Sequence, residues 1–599
     1  MENQLNNLHH KINRRLFDSK EGVIHFLRYI SLSLLFVVTG SAIYFYGFPK
    51  TETSLFYSLI IIRLSIVFFA LRYLILLIYS IHPSTFLKNH WLEGVLLIIF
   101  LSDAISPIFF EEHLFFQSLK LYVKSHSLLV FQFYFLLIAI REVKHTAPEI
   151  GKLKIGPAKL LILSFIVLIS SGTGLLLLPE MTVDHNLSLL DAIFTATSAS
   201  CVTGLTVVDT AHFFTLKGQI IILLLIQLGG VNIISFAAFF GILAKKLGGL
   251  RYQSILKDLL SGEQLSDSRE LLKNILKWTL YIEVTGTVLL YFSWENILFK
   301  SNAHKLFSSV FHSVSAFNNA GFSLYSDNLY QIGLQNMVSF QIIIIFLIIF
   351  GGIGFFVLQD IFGISNIRNR FRFRWKEYKL LTRINIRMTL IMISLGTIAF
   401  YFLEQNTTLI NKSFDDQVLT AVFQSVSTRT AGFNTIDMNL LSTPVLMLFM
   451  LFMFIGAGSG STGGGIKIST FAIAFKASIA TIRGKNSVDF FKRTIPYRIV
   501  NRAYAIIVFA LVVISISVFL LSIAEPHMDF MKLAFEEFSA FATVGLSTGI
   551  TSDLSSFGKA IIISSMFIGR VGVLSIAMIL SHRVVSRNYQ YAKESVMVG

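Results

Sequence analysis

Four short glycine-centred segments recur along this 599-residue chain, each placed after a stretch too short to cross a membrane and before one long enough to do so. They read Val202-Thr203-Gly204-Leu205, Asn319-Ala320-Gly321-Phe322, Thr430-Ala431-Gly432-Phe433 and Thr543-Val544-Gly545-Leu546, with glycines 117, 111 and 113 residues apart. Four versions of one unit at near-constant spacing are the mark of a repeat architecture. A glycine-bearing loop repeated four times about an axis lets converging carbonyl oxygens replace the hydration shell of a cation. Glycine supplies the backbone angles that aim those carbonyls inward.

Composition identifies the solvent. The chain is 54% hydrophobic and 14% charged, with 58 Phe, which sets it among polytopic membrane proteins. Crossing the hydrocarbon core takes about 20 apolar residues, and roughly a dozen stretches meet that requirement. The first, Val23 to Phe48, is too long for a removable signal peptide and lacks a small-residue cleavage site. The formal charge of +16 does not point to nucleic acid, because the basic residues cluster in short loops. Those clusters are Lys11–Arg15, Arg141–Lys154, Lys245–Lys257, Arg368–Arg387, Lys476–Arg502 and Arg583–Lys593. All six are expected on the cytoplasmic side, with an even number of crossings between successive clusters. The single cysteine, Cys201, excludes an internal disulfide and a cysteine-cluster metal site.

Two regions follow. Residues 1–150 form an N-terminal module with four expected spans, at 23–48, 55–81, 91–110 and 126–141, and an outside loop near Glu111 and Glu112. Residues 151–599 divide into four units at about 155–250, 265–365, 380–482 and 498–585. Each has a first span (158–178, 271–294, 387–404, 500–523), a half-crossing (189–200, 304–317, 414–427, 529–541) and a second span (216–244, 336–360, 441–481, 557–581). The half-crossings carry too few charges for solvent loops, so they read as re-entrant pore helices. Irregular backbone survives at membrane depth only where protein encloses it. The fold class is therefore all-α: four helix/pore-helix/helix repeats in pseudo-fourfold array around a central pore, plus the helical N-terminal module.

These residues resemble the Trk/Ktr/HKT superfamily of potassium transporters. The matching motifs are Thr197 to Leu205, Phe317-Asn318-Asn319-Ala320-Gly321-Phe322, Arg429 to Phe433, Ala542 to Ser547, Gly456 to Lys467 and Gly569-Arg570-Val571-Gly572. The resemblance covers about 155–585 and implies potassium uptake across the inner membrane by a multi-pass homodimer bound to a separate cytosolic ring of nucleotide-binding regulatory subunits. It implies no enzymatic activity and no organic cofactor. In plant members a serine at the first filter glycine goes with sodium transport; Gly204 here favours potassium. A sodium-coupled or sodium-transporting member of the same fold is the alternative, with sodium as a second candidate ion.

The residues assign the chemistry as follows. Val202, Thr203, Gly204, Asn319, Ala320, Gly321, Thr430, Ala431, Gly432, Thr543, Val544 and Gly545 form the expected selectivity filter, with potassium held by backbone carbonyls at the four glycines. Only Thr543-Val544-Gly545 reproduces the start of the potassium-channel sequence TVGYG, so fewer ion sites and looser selectivity are expected. Acids recur beyond each segment at Asp209, Asp327, Asp437 and Asp553 and suggest a vestibule that concentrates cations. Gly456, Gly458, Gly460, Gly463, Gly464 and Gly465 interrupt the third second span, since each glycine costs a helix about 1 kcal/mol relative to alanine. The resemblance makes this run the intramembrane gate, together with Arg570, whose charge inside an apolar span is costly. Lys467 adds to the gate or snorkels to the interface. A Walker A loop is excluded, because Gly465-Ile466-Lys467 lacks the adjacent Gly-Lys. Arg429 is expected to tie down pore-helix carbonyls. The basic run from Arg368 to Arg387 suits anionic lipid or a cytosolic partner. Arg63 and Arg72, nine residues apart, lack voltage-sensor spacing.

Overall fold

Long apolar stretches with capped ends fold as helices here, because a lipid-exposed backbone has nothing else to hydrogen-bond to. The computed structural model describes residues 2–80, 82–91, 93–98, 157–247, 268–294, 299, 301–331, 333–335, 337–373, 377–410, 412–580 and 594. The expected span at 126–141, most of that at 91–110, Glu111, Glu112 and the basic residues at 141–154, 251–257 and 583–593 lie outside the described residues. Two compact units emerge, one of Met1–Lys154 with Leu178–Glu180, the other of the remaining residues.

In the first unit, helices Glu2–Gly47 and Glu52–Ile78 pack through Leu35, Val38 and Phe45 against Ile62, Ile66 and Phe69. A capping box closes the start of the second, with Thr51 and Ser54 satisfying each other's backbone N–H groups. A short helix, Pro83–Asn89, follows.

In the second unit, each repeat begins with an outer helix: Pro157–Leu176, Ser268–Ser293, Leu380–Glu404 and Tyr497–Ala524. Half-length helices come next, at Leu189–Cys201, Asn302–Phe317, Phe414–Ser427 and Phe530–Ala542. Among the described residues, six helices are long and apolar enough to cross a membrane, and a bent pair adds a seventh. The chain is a multi-pass membrane protein, and side chains such as Leu280, Phe292, Leu395 and Phe519 are exposed along its outer helices, as lipid-facing residues are.

Several bounds differ from expectation. The third outer helix starts at Leu380 rather than 387, because Arg383 pairs with Glu377 and the Arg387 guanidinium lies 4.3 Å from the centre of the Phe491 ring. Those contacts let two arginines extend the helix past the apolar core. The inner helices differ more. That of the first repeat, Leu216–Leu247, is continuous, but the second breaks at Gly354 into Val338–Ile353 and Phe355–Phe362, bent by 102°. The fourth breaks at Gly572 into Ser556–Val571 and Val573–Leu580. Both expected spans were continuous. The freed N–H of Phe355 donates to Gly460 O at 2.8 Å, so a neighbouring repeat satisfies the backbone that the break exposes. The third repeat is interrupted where expected, between Thr443–Phe454 and Ile468–Ile482.

Candidate ion pathway

Each half-helix is anchored at its start by a cap. Ser188, Ser301 and Ser413 accept from the N–H groups of Asp191, His304 and Asp416, and Asp529 accepts from Met531. At the other end the chain turns left-handed twice. Val202, Asn319, Thr430 and Thr543 have φ of 58°, 58°, 72° and 51°, and Gly204, Gly321, Gly432 and Gly545 follow at 96°, 70°, 76° and 92°. For β-branched Val202, Thr430 and Thr543 such angles cost about 1–3 kcal/mol each, strain that persists only where the surroundings dictate it. In a strand successive residues face opposite sides; alternating hand cancels that pleat and brings neighbouring carbonyls to one side. The side chains of Val202, Thr203, Asn319, Ala320, Thr430, Ala431, Thr543 and Val544 are fully buried, which leaves the backbone to line the axis.

The four segments close a ring. A Cβ on Gly204 would strike the Ala320 carbonyl oxygen and lie 3.1 Å from Gly321 Cα. On Gly321 it would lie 2.9 Å from Ala431 O and 3.0 Å from Gly432 Cα. On Gly432 it would strike Val544 O, and on Gly545 it would strike Thr203 O and lie 3.0 Å from Gly204 Cα. Each glycine therefore faces the next repeat's carbonyl in chain order, and the fourth faces the first. The half-helices end on this ring with their C-termini, which carry about −0.5 charge each and favour a cation.

Serines brace the ring from behind, a role the sequence reading missed. Ser198 Oγ donates to Leu205 O at 2.7 Å and accepts from Gly204 N at 3.1 Å. Ser315 Oγ donates to Phe322 O at 2.8 Å, Ser427 Oγ donates to Phe433 O, and Ser539 Oγ accepts from Gly545 N at 3.1 Å. These serines precede their glycines by six, six, five and six residues, and that recurring offset was the available signal. The bonds engage the carbonyls of Leu205, Phe322 and Phe433, which leaves the glycine carbonyls as the outermost tier on those three strands.

Above the ring lies a cavity of about 530 Å³ that reaches Gly204, Gly321 and Gly545. Asp209, Asp327 and Asp437 line it, whereas Asp553 does not and Ser552 takes its place. Asp209 is partly buried, which raises its pKa, but hydrogen bonds from Ser326 Oγ (2.6 Å), His212 and Ala211 N (2.9 Å) outweigh that and hold it below the usual carboxylate value. Its charge is present above that depressed pKa and is lost only as pH falls through it. Asp209→Asn is expected to raise the half-saturating cation concentration about twofold at low ionic strength, with the difference shrinking at high salt. Initial uptake rates across a salt series measure this; a salt-independent change would contradict it.

Beneath the ring the interrupted inner helix of the third repeat folds back on itself. Gly456 N donates to Ile466 O at 2.9 Å, and Gly458 N donates to Gly352 O at 2.8 Å. A Cβ on Gly463 would strike Thr430 Oγ1, and one on Gly464 would strike Thr543 Oγ1, so both glycines lie directly against ring residues. Lys467 Nζ donates to Gly463 O within its own loop. Arg570 is 3% exposed and joins three repeats, donating to Thr462 O, to Gly229 O at 2.7 Å and to Gly230 O at 3.5 Å. Gly229, Gly351 and Gly569 let inner helices approach the half-helix carbonyls of Ser200, Phe317 and Phe541. Arg429 departs from expectation: its NH2 donates to the Thr389 hydroxyl of the outer helix at 3.3 Å, not to half-helix carbonyls. Thr389, one helix away, is the acceptor within reach of this buried guanidinium.

The family model described as TrkH, a cation transport protein, matches residues 126–590. The Ktr system potassium uptake protein B of Vibrio alginolyticus is 40% identical over 75% of this chain and 96% of its own length. The potassium/sodium uptake protein NtpJ of Enterococcus hirae is 36% identical over 74% of this chain and 98% of its own. Among solved structures, the potassium transporter TrkH from Vibrio parahaemolyticus shares the fold with a TM-score of 0.59 at 17% identity, covering 81% of this chain and 97% of that one. The chain belongs to the TrkH family of cation transport proteins.

Proposed function

We propose that the protein takes up potassium across the bacterial inner membrane through the ring of Gly204, Gly321, Gly432 and Gly545. The observation that carries this is the closed cycle in which each glycine faces the carbonyl of the next repeat. Desolvating a monovalent cation requires such a cage of uncharged oxygens, and the two carbonyl tiers supply it without a counter-charge that would trap the ion. The names of the potassium uptake relatives support the same cargo. Potassium is thus cargo rather than cofactor, and the chain is a transporter. The Enterococcus hirae relative is named for both ions, which favours sodium as the second cargo to test. Purified protein in liposomes should pass potassium or rubidium in preference to sodium; equal or sodium-preferring flux would overturn the assignment.

The loop from Gly456 to Gly465 is the gate of this pathway, with Arg570 as its latch and Lys467 as a brace within the loop. Deleting three residues of the glycine run is expected to raise basal flux at equal expression, since a shortened loop no longer reaches beneath Thr430 and Thr543. Lower or unaltered flux would count against the gate. Family resemblance favours a cytosolic nucleotide-binding ring as regulator and a homodimer as the working assembly. The strip around Arg368, Arg370 and Arg372 is its docking side, with anionic lipid as the competing occupant.

A further inference from the structure

Seven residues beyond their glycines the four repeats carry Ala211, Asn328, Asn439 and Ser552, so this position breaks the pseudo-fourfold pattern. Asn439 leans on the fourth repeat, beside Gly549. Asn328 lines the same cavity above the ring as Asn439, but its Nδ2 donates to Gly321 O at 3.4 Å and to Gly432 O at 3.2 Å. Those two carbonyls belong to adjacent ring members in the outermost tier. Asn328 holds the left-handed angle φ 58°, which places its side chain over the ring, and its Oδ1 is buried without a hydrogen-bond partner. Among the described contacts, nothing but the two ring carbonyls holds the amide.

We infer that the Asn328 amide is a tethered competitor for the outermost cation position. An N–H donor bridging two carbonyls carries partial positive charge where an entering ion needs oxygen ligands. A cation arriving from the vestibule must displace the amide before it can recruit Gly321 O and Gly432 O. Asn328 therefore sets the concentration at which the pathway fills, while the lower tier, which it does not touch, sets the choice between ions. This rests on the ring being the cation path.

The test is Asn328→Gly, which keeps the left-handed backbone and removes the amide, beside Asn328→Asp, which keeps the shape and removes the donor. Potassium and sodium uptake into liposomes is measured per folded protein. Two long neutral hydrogen bonds lost to competition correspond to about a three- to tenfold lower half-saturating potassium concentration in Asn328→Gly. Sodium should shift by the same factor, leaving the ratio between ions unchanged, and Asn328→Asp should shift at least as far. A half-saturating concentration that is unchanged or raised in Asn328→Gly would overturn the inference, as would a changed ion ratio, which marks a structural role. Wild-type protein without saturable, cation-selective flux would instead overturn the ring assignment, so the two failures are distinguishable.

Discussion

Gly204→Ser should lower the potassium-to-sodium permeability ratio about tenfold, the equivalent of roughly 1.4 kcal/mol of differential binding. Gly204 sits at φ 96°, which a serine adopts only under strain, and a Cβ there would strike the Ala320 carbonyl oxygen. That oxygen must rotate off the axis or the ring must open, and either change spoils the cage that distinguishes a larger, weakly hydrated ion from a smaller one. Flux ratios in liposomes provide the measurement. An unchanged ratio in well-folded protein would remove Gly204 from the selective part of the pathway.

Arg570→Ala should raise maximal transport several-fold and leave that ratio intact. A guanidinium held about 6 Å from a passing cation opposes it by roughly 3 kcal/mol at an effective dielectric near 20. Its donors also fasten Thr462 of the glycine loop to Gly229 and Gly230 of the first repeat, so removal is expected to free the loop. Alanine leaves those carbonyls without a donor, which costs stability as well. Arg570→Gln helps separate the effects, because it removes the charge while keeping a shorter amide donor. If both variants fold and transport at or below the wild-type rate, Arg570 is a structural tie rather than a latch.

Much of this architecture was legible because it rests on length and period. Half-helix Phe414–Ser427 coincides with its expected bounds, since a charged start at Asp415 and Asp416 and an apolar body mark both ends. The four glycine segments declared the ring because no side chain does its work. What stayed hidden depends on partners distant in sequence. The break at Gly354 is stabilised by Gly460 O from another repeat, while glycines in membrane helices are common and carry no fixed meaning. The serine braces look like ordinary helical serines until their offset from each glycine is compared. The hairpin of β1 (Val488–Phe490) and β2 (Arg493–Ile495) was also unforeseen. Its turn puts Phe491 and Lys492 at φ 48° and 63°, where Asn and Gly are the usual signal. Arg387 and Lys476, stacked on Phe491 and Phe490, compensate from the helices beside it.

The most direct test is to place a heavy potassium analogue in the structure. Thallium or rubidium, located by anomalous scattering from protein prepared in that ion, should appear on the axis ringed by the carbonyl oxygens of Thr203, Ala320, Ala431 and Val544 and of the glycines that follow them. In Gly204→Ser that density should weaken or shift toward the vestibule. Ordered ions found only elsewhere, with an empty axis at saturating concentration, would contradict the claim that these four segments form the cation site.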